Sequence, residues 1–171
     1  MSERVDWVIE LLADHEREHF SCGVDSLDNF LKRLVTQYHQ RNIGRTWVAV
    51  KAGSKEVLGY YTLSNGGIQP GLLPEKLRKK LPKEIPIPIV HLGRLAVDRS
   101  CACQGLGEHL LMDALNRSWL QSKQIGVYAI EVKAIDRKAE SFYAKYGFSP
   151  LADDPLHMYL PIKTIGSLFE G

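Results

Sequence analysis

Residues 89 to 107 read Ile-Val-His-Leu-Gly-Arg-Leu-Ala-Val-Asp-Arg-Ser-Cys-Ala-Cys-Gln-Gly-Leu-Gly. The first part, Ile89 to Val97, is apolar, partly β-branched and free of proline, which predicts a strand buried on both faces. Asp98 to Ser100 is a polar turn. Past Gly105 and Gly107 the apolar residues change to helical spacing: Leu106, Leu110 and Ala114, with Leu111, Leu115 and Trp119 beside them. A strand, a glycine-bearing turn and a helix start together suit a phosphate. Uncapped N–H groups at a helix N-terminus point at the anion, and the helix dipole favours negative charge there. Glycines let the backbone approach where a Cβ would collide. Two glycines before a helix also occur in tight turns with no ligand, so the pattern alone leaves both readings open.

Composition narrows the classes. A chain of 171 residues has the length of one domain and can bury most of its apolar surface. Hydrophobic residues at 44% and charged residues at 25% are the mix of a soluble globular protein. A net charge of +2 is too small to argue for nucleic acid, so that case must rest on where the charges cluster. Cys22, Cys101 and Cys103 have no zinc-ligand company, which suits a reducing compartment. The N-terminus lacks the apolar core of a signal peptide and no run approaches membrane-spanning length, so a cytoplasmic protein without a membrane partner is expected.

Outward from the central stretch, Val5 to Leu12 is expected to be a first strand. Asp25 or Ser26 should cap a helix whose apolar positions, Leu27, Phe30, Leu31, Leu34, Val35 and Tyr38, make one buried stripe. Lys32, Arg33, Gln37, Gln40 and Arg41 fall on its other face, and Gly44 should end it. Thr46–Val50 and Val57–Leu63 read as a hairpin, with Asn65-Gly66-Gly67 breaking the second strand. Leu72 to Leu81 is a short basic helix or helical loop, and Pro82, Pro86 and Pro88 keep the next piece extended. After the central helix, Val127–Ala134 is a strand and Asp136 caps a helix with Ala139, Phe142, Tyr143 and Tyr146 on one stripe, ended by Gly147. Phe148–Leu151 and Met158–Ile162 read as short strands and Lys163–Phe169 as a last helical turn. Strands interleaved with helices indicate an α/β or α+β domain.

Leu-Gly-Arg-Leu-Ala-Val-Asp (residues 92 to 98) followed by Gln-Gly-Leu-Gly (104 to 107) resembles motif A of the GCN5-related N-acetyltransferase (GNAT) superfamily. The family pattern there is Gln/Arg-x-x-Gly-x-Gly/Ala. Gly105 and Gly107 fit it, Ala102 stands where Gln or Arg is usual, and Cys103 replaces a frequent glycine. Residues 134 to 148, Ala-Ile-Asp-Arg-Lys-Ala-Glu-Ser-Phe-Tyr-Ala-Lys-Tyr-Gly-Phe, resemble motif B of the same superfamily. The resemblance implies the GNAT fold over residues 1–171, a central mixed twisted sheet of six to seven strands flanked by helices. It also implies acetyl-CoA as co-substrate, with no metal. Its holders would be Leu95, Ala96 and Val97 on the strand, Ala102, Cys103, Gln104, Gly105, Leu106, Gly107 and Glu108 at the turn, and Asp136. Tyr143 matches the family's helix-borne tyrosine that protonates the departing CoA thiolate. A phenol of pKa about 10 can supply that proton. The alternative for Tyr143 is a core aromatic with a satisfied hydroxyl, and for Asp136 a helix cap alone.

Many family members place a carboxylate base on the central strand. Here that strand offers His91 and the next strand offers Glu131. A lysine amine of pKa about 10.4 needs a base at neutral pH, whereas an α-amine of pKa about 8 is partly neutral already. Residues 20 to 31, Gln40-Arg41-Asn42, Arg45-Thr46, Leu58 to Leu63 and Leu92 to Asp98 closely resemble one branch, the acetyltransferase toxins of bacterial type II toxin–antitoxin systems. That branch implies acetylation of the α-amine of aminoacyl-tRNA, which blocks translation. It also implies silencing by a ribbon-helix-helix antitoxin, contact with operator DNA through the antitoxin complex, and a homodimer. A tRNA needs a basic approach surface. Lys76, Arg78, Lys79, Lys80 and Lys83 form one cluster, and Lys32, Arg33, Arg41 and Arg45 another, with Arg94 on the central strand. Each cluster also reads as a solvated face. Two other functions stay open: acetylation of a small amine or a protein N-terminus, and a non-catalytic CoA-fold module.

Overall fold

The computed structural model describes residues 5–170. Seven strands, β1 (Trp7–Leu11), β2 (Arg45–Lys51), β3 (Gly59–Ile68), β4 (Ile87–Val97), β5 (Ala129–Lys133), β6 (Ser149–Pro150) and β7 (His157–Pro161), form one mixed sheet in the order β1-β2-β3-β4-β5-β7-β6. The helices are α1 (Asp25–Asn29), which continues through a π-helical turn (Phe30–Leu34) into α2 (Val35–Gln40), then α3 (Glu75–Arg78), α4 (Leu106–Ser122), α5 (Arg137–Lys145) and α6 (Ile162–Phe169). β4 and β5 run parallel, with α4 as their connection, while β1–β2, β2–β3, β5–β7 and β6–β7 are antiparallel. This is the mixed sheet of six to seven strands flanked by helices that the family resemblance implies, within the α/β or α+β class that the alternating patterns indicate. The chain divides into two compact units: residues up to Ser64 with Gly93–Ala114, and Asn65–Leu92 with residues from Leu115 on.

In the first unit the helical stripe does what its spacing predicts. Leu27, Phe30, Leu31 and Val35 are buried in one cluster with Phe20, Val48, Val50, Val57 and Tyr60. Phe30 stacks on Tyr60, whose hydroxyl donates to the Leu27 carbonyl at 2.7 Å, so the buried phenol is satisfied and ties the helix to β3. Truncating Phe30 to alanine would cost about 3–5 kcal/mol. The π turn coincides with Arg17, whose Nη1 donates to the Leu31 carbonyl at 3.1 Å, a side chain entering the helical ladder.

Three boundaries here differ from the expectations. The first strand starts at Trp7, not Val5. The helix starts from Val24 in extended conformation rather than from Asp25 or Ser26, and it has no side-chain cap because valine carries no acceptor; Asp28 accepts the Cys22 N–H at 2.9 Å. It ends at Asn42, which takes the left-handed conformation (φ 56°), so Gly44 is not its stop.

In the second unit β3 runs through Asn65-Gly66-Gly67 to Ile68, where a break was expected. The glycines mark close approach instead: a Cβ on Gly66 would lie 2.8 Å from Ile89 Cδ1 and 3.6 Å from His91 Cβ. The basic segment is helical only over Glu75–Arg78, after Pro74, while Leu72, Leu77 and Leu81 pack on a core of Ile68, Leu73, Ile87, Ile89, Ala129, Leu151 and Tyr159. β5 is shorter than Val127–Ala134, and the C-terminal segment is a full helix of eight residues with Ile165 buried.

Candidate active site

β4 ends at Val97 and the turn behind it is built by Asp98. Its carboxylate accepts the Ser21 N–H at 2.8 Å, the Ser100 N–H at 3.0 Å and the Ser100 hydroxyl at 2.6 Å. Burial opposes that charge, but the donors outweigh it and hold the carboxyl below its ordinary range. Cys101 and Ala102 then close a 3-10 turn on the carbonyls of Asp98 and Arg99. From there the backbone donors run out of acceptors: among the described residues, no protein group takes the amides of residues 103 to 108, and the first helical bond of α4 is His109 N–H to Gly105 O at 3.1 Å. Cys103 (φ 62°) and Gly105 (φ 86°) are both left-handed, and a Cβ on Gly105 would meet nothing within 4 Å. An open row of free amides at the start of a 17-residue helix fits a pyrophosphate, the group that acetyl-CoA would place there. Ala102, Cys103, Gln104, Gly105 and Glu108 are exposed, Leu106 is buried as the helix anchor, and Gln104 uses its side chain on the Ser100 carbonyl at 3.2 Å.

The second unit holds Asp136 and Tyr143. Asp136 Oδ1 accepts the Ala139 N–H at 2.8 Å and so caps α5. The helix buries Tyr143 to 6% exposure between Phe142 and Phe148, and burial pushes the phenol pKa up. No hydrogen-bond partner holds its hydroxyl among the described residues, and burial is the sole cause of its shift. That departs from the expectation for a purely structural core tyrosine, whose hydroxyl would be satisfied.

His91 and Glu131, suggested as alternatives for a base, are joined. The β4–β5 register sets them side by side, and His91 Nδ1 lies 2.5 Å from Glu131 Oε1. Sequence reasoning missed the rest of this chain: His157 Nε2 is 3.1 Å from Glu131 Oε2, and His157 Nδ1 is 2.9 Å from Asp153 Oδ2. Burial would raise the Glu131 carboxyl, but hydrogen bonds from the two histidines and their charge bring it below its ordinary value. Burial likewise opposes charge on His157, and bonds to Asp153 and Glu131 outweigh it, raising its pKa. The spacing of Asp153 and His157 by four residues was the only trace of this pair in the sequence.

The basic residues separate into two groups. Lys32, Arg33 and Arg41 are exposed on the first helix, and Arg78, Lys79 and Lys80 on and after α3, with Lys79 ion-paired to Glu75 at 3.7 Å. Arg45 instead donates to the carbonyls of His39 and Gly44 at 3.3 Å each, closing the helix end. The Arg94 guanidinium lies 3.7 Å over the Phe30 ring, so it clamps the π turn to β4. No group of His, Cys, Asp and Glu among the described residues is arranged to hold a metal ion, and no helix there is long and apolar enough to cross a membrane.

A strand that runs into a row of free amides, and a capped helix that buries a phenol with no partner among the described residues, are features of a CoA-dependent acyltransferase. The chain belongs to the acetyltransferase (GNAT) domain family, whose profile matches residues 12–157. It is 36% identical over 149 residues to the "tRNA-acetylating toxin" of Mycobacterium tuberculosis, covering 87% of each chain. Among solved structures it is similar to AtaT complexed with acetyl-methionyl-tRNAfMet, at 36% identity and TM-score 0.89 over 96% of this chain and 99% of the other. A tyrosine-to-phenylalanine variant of AtaT bound to acetyl-CoA and the C-terminus of the antitoxin AtaR matches at 33% identity and TM-score 0.84, covering 97% and 99%. The AtaT–AtaR complex bound to DNA matches at 32% identity and TM-score 0.77, covering 95% and 99%.

Proposed function

We propose that this chain is one GNAT domain acting as a cytoplasmic N-acetyltransferase toxin: it moves the acetyl group of acetyl-CoA to the α-amine of aminoacyl-tRNA and so blocks translation. Acetyl-CoA supplies the activated acyl group as a thioester. The free amides of residues 103 to 108 hold its pyrophosphate, with Leu95, Ala96 and Val97 offering backbone along β4. Tyr143, a phenol protonated at neutral pH whose pKa burial raises further, gives its proton to the departing sulfur. An α-amine on an aminoacyl ester has a low pKa, which eases the nucleophile's activation. The exposed basic residues of the first helix, on one unit, and those of the segment around α3, on the other, each offer charge to tRNA phosphates. A ribbon-helix-helix antitoxin holds the toxin silent, the toxin–antitoxin complex meets operator DNA, and the toxin is a homodimer.

The observation that carries this reading is the row of unpaired amides ahead of α4, a built anion cradle. The test is to induce the protein in a bacterium and assay charged tRNA by mass spectrometry. N-acetylated aminoacyl-tRNA with growth arrest is expected. Acetylated protein N-termini or small amines with untouched tRNA would overturn the tRNA assignment, and no acetylation at all would favour a non-catalytic module.

A further inference from the structure

Gly59 and Tyr61, two residues apart, share one face of β3. A Cβ on Gly59 would lie 2.8 Å from Leu110 Cδ1, 3.2 Å from Leu106 Cδ2 and 3.1 Å from the Ala96 carbonyl oxygen. The Tyr61 hydroxyl donates to Asp113 Oδ2 at 2.5 Å. Trp47, the register partner of Tyr61 on β2, stacks on its ring with centroids 5.5 Å apart. Leu106, Leu110 and Asp113 follow one another at helical spacing and so form one stripe of α4. One face of β3 therefore meets one stripe of α4, over the first two turns of the helix.

Those turns carry the second half of the amide row. The amides of residues 103 to 105 belong to the turn that Asp98 braces, whereas those of residues 106 to 108 move with α4. A single anion meets both halves only when helix and turn stand at a fixed distance, because hydrogen bonds weaken steeply once stretched or bent. Asp98 fixes the turn. β3 fixes the helix, and Gly59 decides how close it comes. Leu106 and Leu110 are fully buried, so neither side chain can swing aside for a methyl group. Ordinary contact begins at 3.4 Å, so an alanine would lift the first turns of α4 by about 0.6 Å.

We propose that Gly59 and Tyr61 are positioning residues for the acetyl donor: they seat α4 so that its amides complete the pyrophosphate cradle, and thereby set the affinity for acetyl-CoA. This rests on the acetyltransferase reading above. The seat controls binding of the anionic half of the donor, so its signature is selective. Acetyl-pantetheine carries the same thioester arm without the pyrophosphate and gains nothing from the cradle.

The test compares acetylation by the two donors, with a mixture of charged bacterial tRNA as acceptor. Gly59→Ala should raise KM for acetyl-CoA about tenfold, the worth of one or two amide hydrogen bonds, with kcat held within about twofold. Its kcat/KM for acetyl-pantetheine should stay at the wild-type value. Leu110→Val lacks the Cδ1 that the alanine meets, and in combination with Gly59→Ala it should restore most of the acetyl-CoA affinity. An enzyme that was merely destabilised would lose rate with both donors alike and gain nothing from a second buried truncation. Tyr61→Phe adds no volume and should raise KM for acetyl-CoA about threefold, again sparing acetyl-pantetheine. Equal losses with both donors in Gly59→Ala, or no rescue by Leu110→Val, overturn the proposal. Should Gly59→Ala fail to fold, an unchanged donor ratio in Tyr61→Phe overturns it as well. A wild type that uses the two donors equally well, or uses neither, overturns the acetyl-CoA reading of the turn instead.

Discussion

Cys103 is a cysteine in a glycine's conformation, and its cost can be worked out. Its φ of 62° lies in the left-handed region, two residues before Gly105 in the anion turn. An L-residue there carries about 1–2 kcal/mol of Cβ–carbonyl crowding. Glycine escapes this but leaves a more disordered unfolded chain, a difference of about 0.4–1 kcal/mol in the other direction. Cys103→Gly should therefore stabilise the protein by about 0.5–1 kcal/mol, raising Tm by about 1–4 °C in a domain of this size. The side chain is exposed, so no lost packing confounds the comparison. Cys103→Val puts a β-branched residue in the same conformation and should lower Tm. Melting curves of the three proteins with and without acetyl-CoA would check both points, since a ligand that binds only the folded state adds its own shift. That shift should persist in Cys103→Gly, because the contacts proposed for the turn are backbone amides. A glycine variant melting at or below the wild type, beside a harmless valine variant, would refute the argument.

Other perturbations follow from single contacts. Tyr143→Phe removes a hydroxyl with no protein partner among the described residues, so stability should stay within about 0.5 kcal/mol of wild type while kcat falls about 10²–10⁴-fold; a melting curve and stopped-flow thiol release would show it. Neutralising Arg78, Lys79 and Lys80 should weaken tRNA binding and flatten its salt dependence by fewer released counterions, with acetyl-CoA affinity unchanged; filter binding across a salt series reads both. His39 Nε2 accepts the Thr46 N–H at 2.9 Å, and burial, then Arg45 and Arg17, lowers its pKa below the ordinary 6.5. The unfolded chain then binds the extra proton first, so this stabilisation is complete above pH 6.5 and is lost as the pH falls below it. His39→Asn should accordingly show a smaller drop in Tm between pH 7.5 and 5.5 than the wild type.

What the sequence by itself determined is local. The turn ahead of α4 is legible because its strand, polar turn, glycines and helix start follow one another within residues 89 to 107, and short-range sterics and backbone hydrogen bonding decide each of them, whereas the left-handed conformation of Cys103 was not legible. The buried stripe of the first helix and the Asp136 cap of α5 are legible for the same reason. Tertiary structure decided what depends on neighbours distant in the chain. Asn65-Gly66-Gly67 has the local chemistry of a break, yet the close approach of Ile89 makes it strand. Arg94 and Arg45 read as free charge and are spent on an aromatic ring and a helix end. The meeting of His91 with Glu131, 40 residues apart, and of Glu131 with His157 exists only through the registers of β4, β5 and β7. A strand pattern specifies which face a side chain takes but not which rung of the neighbouring strand it meets, because register is set by the packing of the whole sheet.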